Sequence, residues 1–283
     1  MAESIQPNPP PNEGEKLKIY FLPNLLTAGN LFCGFVALTM IVGAHTENGD
    51  YRQIKLSLAF ILLACVFDLF DGRVARMGGC ESPFGREFDS LADLVSFGVA
   101  PAFLVHRIVL KDVFSNDYAE LGWFIASIYL ICGAFRLARF NCLSAMKTPG
   151  AGKDFLGFPI PSAAGLVASL TLFIIKLNEN EKTLGPSRYM LPVVLVFLSA
   201  MMVSEVRYPS FKALGLRSTT TFLKILIGAL FVGCLLVLRE KIIYYVLPLF
   251  FTGYLLYGFI RPHLSRTWRK EIEEDDDEFE AEG

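Results

Sequence analysis

Long apolar stretches separated by short polar segments dominate this chain between residues 21 and 260. A helix that crosses a bilayer needs about 20 mostly apolar residues. Eight stretches approach that length, and because several are short or interrupted, seven helices is the alternative count. The pattern predicts an all-α polytopic membrane helix bundle. In rounded bounds, the stretches cover residues 21–44, 54–77, 88–109, 119–141, 159–176, 189–204, 222–238 and 242–260.

The composition agrees with a membrane protein. Of the 283 residues, 53% are hydrophobic and 19% are charged, against about 25% charged in an ordinary soluble domain. So much apolar surface argues against a soluble globule, a disordered chain and a nucleic-acid-binding protein. The net charge is −2, but residues 271–283 carry nine acids and no base, which leaves +7 on the remainder. We expect a disordered cytoplasmic arm at residues 1–19 and a basic, then acidic, cytoplasmic tail at 263–283.

Lys and Arg are distributed unevenly between the two sides of the predicted bundle. With the N-terminus placed in the cytoplasm, cytoplasmic segments hold 17 of these residues and the opposite side holds 9. Cytoplasmic loops of membrane proteins carry the excess of positive charge. The count therefore predicts a multi-pass protein of the cytoplasmic membrane, with both termini in the cytoplasm.

Four aspartates interrupt the second and third apolar stretches. Asp68 and Asp71 are three residues apart, and Asp89 and Asp93 are four apart, so each pair shares one face of a helix. The turn between them, 77–84, contains two glycines and a proline, which lets the two helices run antiparallel and face each other. The sequence therefore predicts four carboxylates that converge near the cytoplasmic end of two helices.

Four negative charges in an apolar environment need compensation by protons or cations. Arg73 and Arg76 would neutralise two of them. Oxygen ligands without His or Cys favour a hard divalent cation such as Mg²⁺ or Mn²⁺, and two such cations suit reactions at phosphate. A proton or cation pathway and structural ion pairs with Arg are the alternatives that the spacing leaves open.

The fixed positions around these acids resemble the signature of the CDP-alcohol phosphotransferase family. The resemblance implies a six-helix membrane core at residues 20–215, a homodimer, two divalent cations (Mg²⁺ or Mn²⁺), and transfer of a phosphatidyl-type group from a CDP-linked donor to an alcohol with release of CMP. The signature consists of Asp68, Asp71, Gly72, Ala75, Arg76, Gly85, Asp89 and Asp93.

The same resemblance implies a role for each of these residues. Asp68, Asp71 and Asp89 would hold the metal ions, while Asp93 would complete the metal site and act as the general base. The resemblance places the other four in the pocket for the CDP-linked lipid: Gly72, Ala75, Arg76 and Gly85.

Further segments resemble the integral-membrane phosphatidylserine synthases. They are 22–30, 135–141, 155–164 and 202–212. This resemblance implies CDP-diacylglycerol as the donor, L-serine as the acceptor and the bilayer as the surroundings, and it adds Asn24 and Thr27 to the donor pocket. The last helices, within 216–262, lie outside the resemblance and are predicted as additional transmembrane helices.

A polar cluster at the cytoplasmic end of the fourth stretch is a candidate for binding the acceptor. It consists of Arg136, Arg139 and Asn141. Arg would grip the serine carboxylate, and Asn would hydrogen-bond its amine or carboxylate. Binding of phosphate and simple anchoring at the membrane surface are the alternatives for this cluster.

Other functions remain open from the residues alone. The acids fit the same chemistry with a different acceptor: glycerol 3-phosphate, an inositol derivative or choline. They also fit an ether-lipid donor. A cation-coupled transporter is a more distant alternative, since such proteins typically show two similar helix sets and this chain has a single acid cluster. A membrane scaffold that binds partners with its tail would leave the carboxylates unexplained.

Overall fold

The structure, a computed structural model, describes residues 21–45, 50–77, 82–111, 114, 119–145, 154–178, 186–209 and 243–260. Seven longer helices, a short 3-10 helix (Pro186–Tyr189) and two short strands lie in these ranges. The helices are α1 (Phe21–Gly43), α2 (Arg52–Met77), α3 (Pro83–Leu110), α4 (Ala119–Ala145), α5 (Ile160–Leu177), α6 (Met190–Val203) and α7 (Ile243–Ile260), and the strands are β1 (Asp154–Leu156) and β2 (Arg207–Pro209).

The predicted all-α polytopic bundle is confirmed. Among the described residues, five helices are long and apolar enough to cross a membrane, which makes this a multi-pass membrane protein. The helix α6 is also apolar but has only 14 residues, fewer than the length that a perpendicular span requires. The five are Phe21–Gly43, Arg52–Ala75, Pro83–Leu110, Glu120–Ala145 and Ile160–Leu177.

Several predicted segments lie outside the described residues. These are the arm at 1–19, the stretch 222–238 and the tail at 263–283. Of the predicted additional helices in 216–262, the structure describes α7, which begins one residue after the predicted bound of 242.

The helices α1, α2 and α3 form the part of the bundle that carries the acids. The chain runs up α1, down α2 and up α3, so that the end of α2 and the start of α3 lie at the same end of the bundle. A stripe along α1 faces this contact, and most of its members are small or polar, which lets the backbones approach closely. The stripe consists of Thr27, Asn30, Cys33, Gly34, Ala37 and Ile41.

The helix α3 begins earlier than the apolar pattern indicates. The prediction places its start near residue 88, whereas the helix starts at Pro83. Ser82 is its N-cap, since the Ser82 hydroxyl oxygen accepts a hydrogen bond of 3.0 Å from the backbone N–H of Gly85. Proline at the first helical position supports this start. Hydropathy misses these first turns because they contain the charged residues Arg86 and Glu87.

The course of α3 is also irregular. Two π-helical segments, Leu94–Val99 and His106–Leu110, interrupt the α-helical hydrogen bonding. Such segments insert an extra residue into a turn and are frequent at functional sites. The first one starts directly after Asp93.

A short antiparallel ribbon closes the end of the bundle between α4 and α6. Strand β1 pairs with β2, with Phe155 opposite Tyr208. Between β1 and α5, Gly157 adopts a positive φ of 77°, and a Cβ there would collide with the carbonyl oxygen of Met202. Glycine is therefore required at this turn. The apolar pattern gives no sign of the ribbon, since each strand has three residues.

The helix α7 packs on α5 and on the ribbon. Phe251 of α7 lies against Gly165 of α5, where a side chain would collide with the ring. The hydroxyl of Tyr208 donates a hydrogen bond of 3.3 Å to the carbonyl oxygen of Leu255, and burial raises the pKa of Tyr208 to about 12. Tyr208 thus stays a neutral donor that ties the ribbon to α7.

Candidate active site

Three of the four predicted carboxylates converge at one end of the bundle. Asp68 and Asp71 lie in the last turns of α2, and Asp89 lies in the second turn of α3. One carboxylate oxygen from each comes within 4.8 Å of the other two. Asp71 is buried, while Asp68 and Asp89 are half-buried. The antiparallel arrangement of α2 and α3 therefore places the two acid faces against each other.

Asp93 lies one turn further along α3, deeper in the bundle. It is 5% exposed and is not part of the group of three. The side-chain amide of Asn30, on α1, donates a hydrogen bond of 3.0 Å to Asp93 Oδ1. Asp93 is thus held from a neighbouring helix.

A second residue of α1 contacts the acids in the same way. The hydroxyl of Thr27 donates a hydrogen bond of 2.9 Å to Asp71 Oδ2. Thr27 and Asn30 are three residues apart and share the face of α1 that contacts α2 and α3. The resemblance implied a donor-pocket role for Thr27, whereas Asn30 was part of the segment 22–30 without a predicted role of its own. Two polar residues at helical spacing inside an apolar stretch were the available signal for both.

The small residues of the signature border this site. Gly72 and Ala75 lie half-buried in the last turns of α2. A Cβ on Gly85 would lie 3.4 Å from Asn24 Oδ1 and 3.2 Å from Ser82 Oγ, so Asn24 and Gly85 are neighbours. Asn24 Nδ2 is buried and has no hydrogen-bond partner among the described residues.

Arg76 belongs to the same turn of α2. Its side chain lies outside the described part of the structure.

Arg136 on α4, a predicted acceptor-binding residue, interacts electrostatically with the acids. Its side chain is 6% exposed, and it interacts with the charges of Asp93 and Asp68. Its guanidinium carbon also lies 5.8 Å from the centre of the Phe140 ring, within cation–π distance. A fourth helix, α4, thus contributes a buried guanidinium that interacts with the carboxylates.

Arg139, one turn further on α4, contacts backbone carbonyls. Its guanidinium donates hydrogen bonds to the carbonyl oxygens of Leu156 (3.0 Å), Met202 (3.3 Å), Val203 (3.0 Å) and Ser204 (3.1 Å). The last carbonyls of a helix have no partner within the helix. Arg139 therefore caps the end of α6 and joins it to β1. We refer to Arg139, the ribbon and the end of α6 as the clasp.

Asn141 contacts the outer side of α3. Its amide nitrogen donates hydrogen bonds to Ser90 Oγ (3.0 Å) and to Glu87 Oε2 (3.3 Å). Its Oδ1 atom is buried and has no hydrogen-bond partner among the described residues. Ser90 directly follows Asp89, so Asn141 lies beside the acid cluster and presents an unused acceptor.

The chemistry of the cluster fits hard divalent cations. The three carboxylates offer only oxygen ligands within 4.8 Å, the ligand type that Mg²⁺ and Mn²⁺ prefer. Asp89 Oδ1 is buried without a hydrogen-bond partner among the described residues. Like charges at this distance repel strongly in a medium of low dielectric constant. A cation between them would relieve the repulsion and use the unpartnered oxygen.

Comparison with known proteins identifies several relatives. A CDP-diacylglycerol–serine O-phosphatidyltransferase of Helicobacter pylori is 33% identical over 243 residues, covering 86% of this chain and 91% of the relative. The protein of that name from Bacillus subtilis is 33% identical over 192 residues, covering 68% of this chain and 92% of the relative. An archaetidylserine synthase of Methanothermobacter thermautotrophicus is 32% identical over 193 residues, covering 64% and 73%.

The family model for CDP-alcohol phosphatidyltransferases matches residues 20–203. This range includes all four aspartates, α1 to α6 and Arg139, and it ends before β2 and α7. The match covers more than half of the chain and agrees with the resemblance noted in the signature. The chain therefore belongs to the CDP-alcohol phosphatidyltransferase family.

Proposed function

We propose that this protein is a CDP-diacylglycerol–serine O-phosphatidyltransferase of phospholipid biosynthesis. It transfers the phosphatidyl group of CDP-diacylglycerol to the hydroxyl of L-serine and releases CMP. The observation that carries the proposal is the cluster of three carboxylates within 4.8 Å at one end of a membrane bundle. The relatives with this activity in their names support serine as the acceptor.

In this proposal the enzyme depends on two divalent cations, Mg²⁺ or Mn²⁺. Asp68, Asp71 and Asp89 would hold them, since their oxygens converge from two facing helices. Asp93, one turn further along α3, would complete the metal site. When bound, the cations would offset the charge of the pyrophosphate and make CMP a better leaving group.

Asp93 acts as the general base. The serine hydroxyl oxygen forms a bond to the lipid-side phosphorus, and the bond from that phosphorus to the CMP oxygen breaks. Asp93 accepts the proton of the hydroxyl, which is a task suited to a positioned carboxylate. Its burial deep in the bundle keeps bulk water from competing as the acceptor.

The donor lies along the ends of α2 and α3. Gly72, Ala75 and Gly85 leave room for the CDP group, and Asn24 supplies a buried amide N–H next to Gly85. Arg76 and Thr27 complete this pocket in the proposal, with Thr27 acting through Asp71. The acyl chains extend into the bilayer beside the apolar outer faces of the helices.

Serine binds between the acids and α4. Arg136 takes the serine carboxylate, because it is a buried guanidinium beside the acid cluster and Arg binds carboxylates through two parallel hydrogen bonds. Asn141 Oδ1 accepts from the serine ammonium group. Arg139 contributes by holding the end of α4 against α6 through backbone carbonyls.

The test is CMP release by the purified protein in lipid nanodiscs with CDP-diacylglycerol, Mg²⁺ or Mn²⁺, and one alcohol at a time. We expect CMP release with L-serine and none above background after chelation of the metal. Release only with glycerol 3-phosphate or an inositol derivative would contradict serine as the acceptor. No release with any alcohol would overturn the enzymatic function.

The role of Asp93 has a separate test. Asp93→Asn removes the proton acceptor, and we expect CMP release to fall by about 10²–10⁴-fold. Binding of CDP-diacylglycerol, measured with radiolabelled lipid, should stay within about threefold of the wild-type value. Normal turnover in this variant would show that another group takes the proton.

An ether-linked CDP-lipid is the second candidate donor, favoured by the similarity to an archaetidylserine synthase. The signature residues surround the CDP end of the donor and not its chains. The same CMP assay with ester-linked and ether-linked donors at equal concentration decides between them by the ratio of kcat/KM.

The orientation and assembly of the protein are further parts of the proposal. We place both termini and the active site on the cytoplasmic side of the cytoplasmic membrane, because Lys and Arg are in excess there. The family resemblance suggests a homodimer with a core at 20–215. Accessibility of single cysteines in intact cells tests the orientation, and mass measurement of the purified protein in detergent tests the dimer.

A further inference from the structure

Asn30 is a buried amide that only half uses its hydrogen-bonding capacity. It lies in α1, is 0% exposed, and donates through Nδ2 to Asp93 Oδ1 at 3.0 Å. Its Oδ1 atom is buried and has no hydrogen-bond partner among the described residues. An unpartnered buried acceptor costs about 1–3 kcal/mol, and a leucine of similar size would avoid that cost. The amide is therefore explained by its contact with Asp93.

The position of Asn30 is fixed by backbone contacts between α1 and α3. The hydroxyl of Ser96 donates a hydrogen bond of 2.9 Å to the carbonyl oxygen of Asn30. One turn further, a Cβ on Gly34 would lie 2.7 Å from Ser96 Cα, so glycine is needed for this close approach. Asn30 thus has little freedom to move relative to Asp93.

The backbone of α3 switches from α-helical to π-helical hydrogen bonding directly after Asp93. The π-helical segment Leu94–Val99 begins directly after Asp93 and contains Ser96. A π turn widens the helix by one residue. Asn30 therefore meets Asp93 and Ser96 across this irregular turn, with both contacts made by one residue of α1.

We propose that Asn30 is a positioning residue that sets the rotation of the Asp93 carboxylate. The hydrogen bond from Asn30 uses one lone pair of Asp93 Oδ1 and restricts rotation of the carboxylate about its Cβ–Cγ bond. The carboxylate then presents a fixed edge to the acceptor hydroxyl, and misplacement by about 1 Å costs about 100-fold in rate. The inference rests on the proposed function of Asp93 as general base, and it adds a residue that touches no substrate.

The experiment compares Asn30→Leu with wild type and with Ser57→Ala. Ser57 is a matched control, because it is a buried polar residue on α2 whose hydroxyl donates to the Ile54 carbonyl of its own helix at 2.8 Å and has no other partner among the described residues. We measure kcat and KM for serine by CMP release, the dissociation constant for CDP-diacylglycerol, and the thermal unfolding midpoint. Asn30→Ala replaces Asn30→Leu in all measurements if the leucine variant does not fold.

We expect Asn30→Leu to lower kcat by about 100-fold, with the dissociation constant of CDP-diacylglycerol and the KM for serine within about threefold. Ser57→Ala should keep the wild-type kcat. A kcat of Asn30→Leu within about threefold of wild type would overturn the inference, and so would a loss of donor affinity as large as the loss of kcat.

The two hypotheses fail in different ways. If wild type releases CMP and Asn30→Leu does so equally well, only the positioning role is wrong. If wild type releases CMP with another alcohol but not with serine, the acceptor assignment is wrong and Asn30 is tested with that alcohol. If wild type releases no CMP with any alcohol, the proposed function and the inference both fall.

Discussion

The acid cluster and the clasp are two polar regions in the same apolar bundle, and they use their polar groups differently. In the clasp, the guanidinium of Arg139 meets four backbone carbonyls that need donors. In the acid cluster, three carboxylates face one another, and the buried Asp89 Oδ1 has no hydrogen-bond partner among the described residues. In the clasp, hydrogen-bond donors face acceptors and satisfy each other. In the acid cluster, acceptors face acceptors, so a proton or a cation is needed between them.

This difference separates a structural role from a ligand-binding one. Buried polar groups that are fully hydrogen-bonded stabilise a fold. Buried groups of like charge raise the free energy of the folded state unless a cation or proton joins them. The clasp therefore holds the ends of α4, β1 and α6 together, and we propose that the acid cluster takes a ligand.

Asp89→Asn should have the largest effect. It removes one of the three converging carboxylates, so we expect CMP release to fall by at least about 10³-fold. It also removes a repulsive charge, so the metal-free protein should be as stable as wild type or more stable. The free energy of unfolding, measured with and without Mg²⁺, checks this prediction. Mg²⁺ should stabilise wild type and should no longer stabilise Asp89→Asn. Loss of stability without metal would contradict the comparison.

Gly34→Ala should damage the acid cluster through packing alone. The new Cβ would meet the backbone of Ser96 at 2.7 Å, which forces α1 away from α3 at a cost of about 1–3 kcal/mol. Because Asn30 moves with α1, we expect kcat to fall by about tenfold or more. Gly43→Ala is the control in the same helix, since a Cβ there would have no atom of the described residues within 4 Å. Equal activities of the two variants would argue against tight coupling of α1 and α3.

Arg139→Lys should weaken the clasp and spare the chemistry. A lysine cannot reach four carbonyls, and we expect a loss of about 2 kcal/mol in unfolding free energy, measured in mixed micelles. The KM for serine and kcat should change by less than about threefold. Arg52→Lys is the control, because Arg52 pairs with Asp50 at an exposed site and such pairs contribute at most about 1 kcal/mol. A large rise in the KM for serine would instead assign Arg139 to the serine site.

Ser82→Ala should have the smallest effect. It removes the N-cap of α3 and should cost about 1 kcal/mol in unfolding free energy. The acids lie beyond the capped turn, so CMP release should stay within about twofold. Ser127→Ala is the control, since among the described residues its hydroxyl bonds to the Phe124 carbonyl of its own helix alone. If Ser82→Ala lowered kcat much more than stability, the start of α3 would belong to the active site.

The acids themselves were predictable because helical spacing is a local property. Asp68 and Asp71, like Asp89 and Asp93, share a face in any α-helix, and the Gly- and Pro-containing turn between the pairs brings the faces together. The apolar stretches were equally predictable, since a bilayer leaves few alternatives to a helix. The start of α3 was placed too late because the charged residues in its first two turns weaken the hydropathy signal.

The sequence by itself thus determined the membrane helices, the acid pairs and the membership of a family, all of which depend on short-range spacing. Only the tertiary structure decided which polar residues act together. The hydrogen bonds of Thr27 to Asp71 and of Asn30 to Asp93 join residues 44 and 63 positions apart. Arg139 donates hydrogen bonds to backbone carbonyl oxygens. Every residue has a backbone carbonyl, so the residue types in the sequence do not show which carbonyls Arg139 contacts. Such contacts depend on how helices pack, and packing joins residues that no local pattern relates.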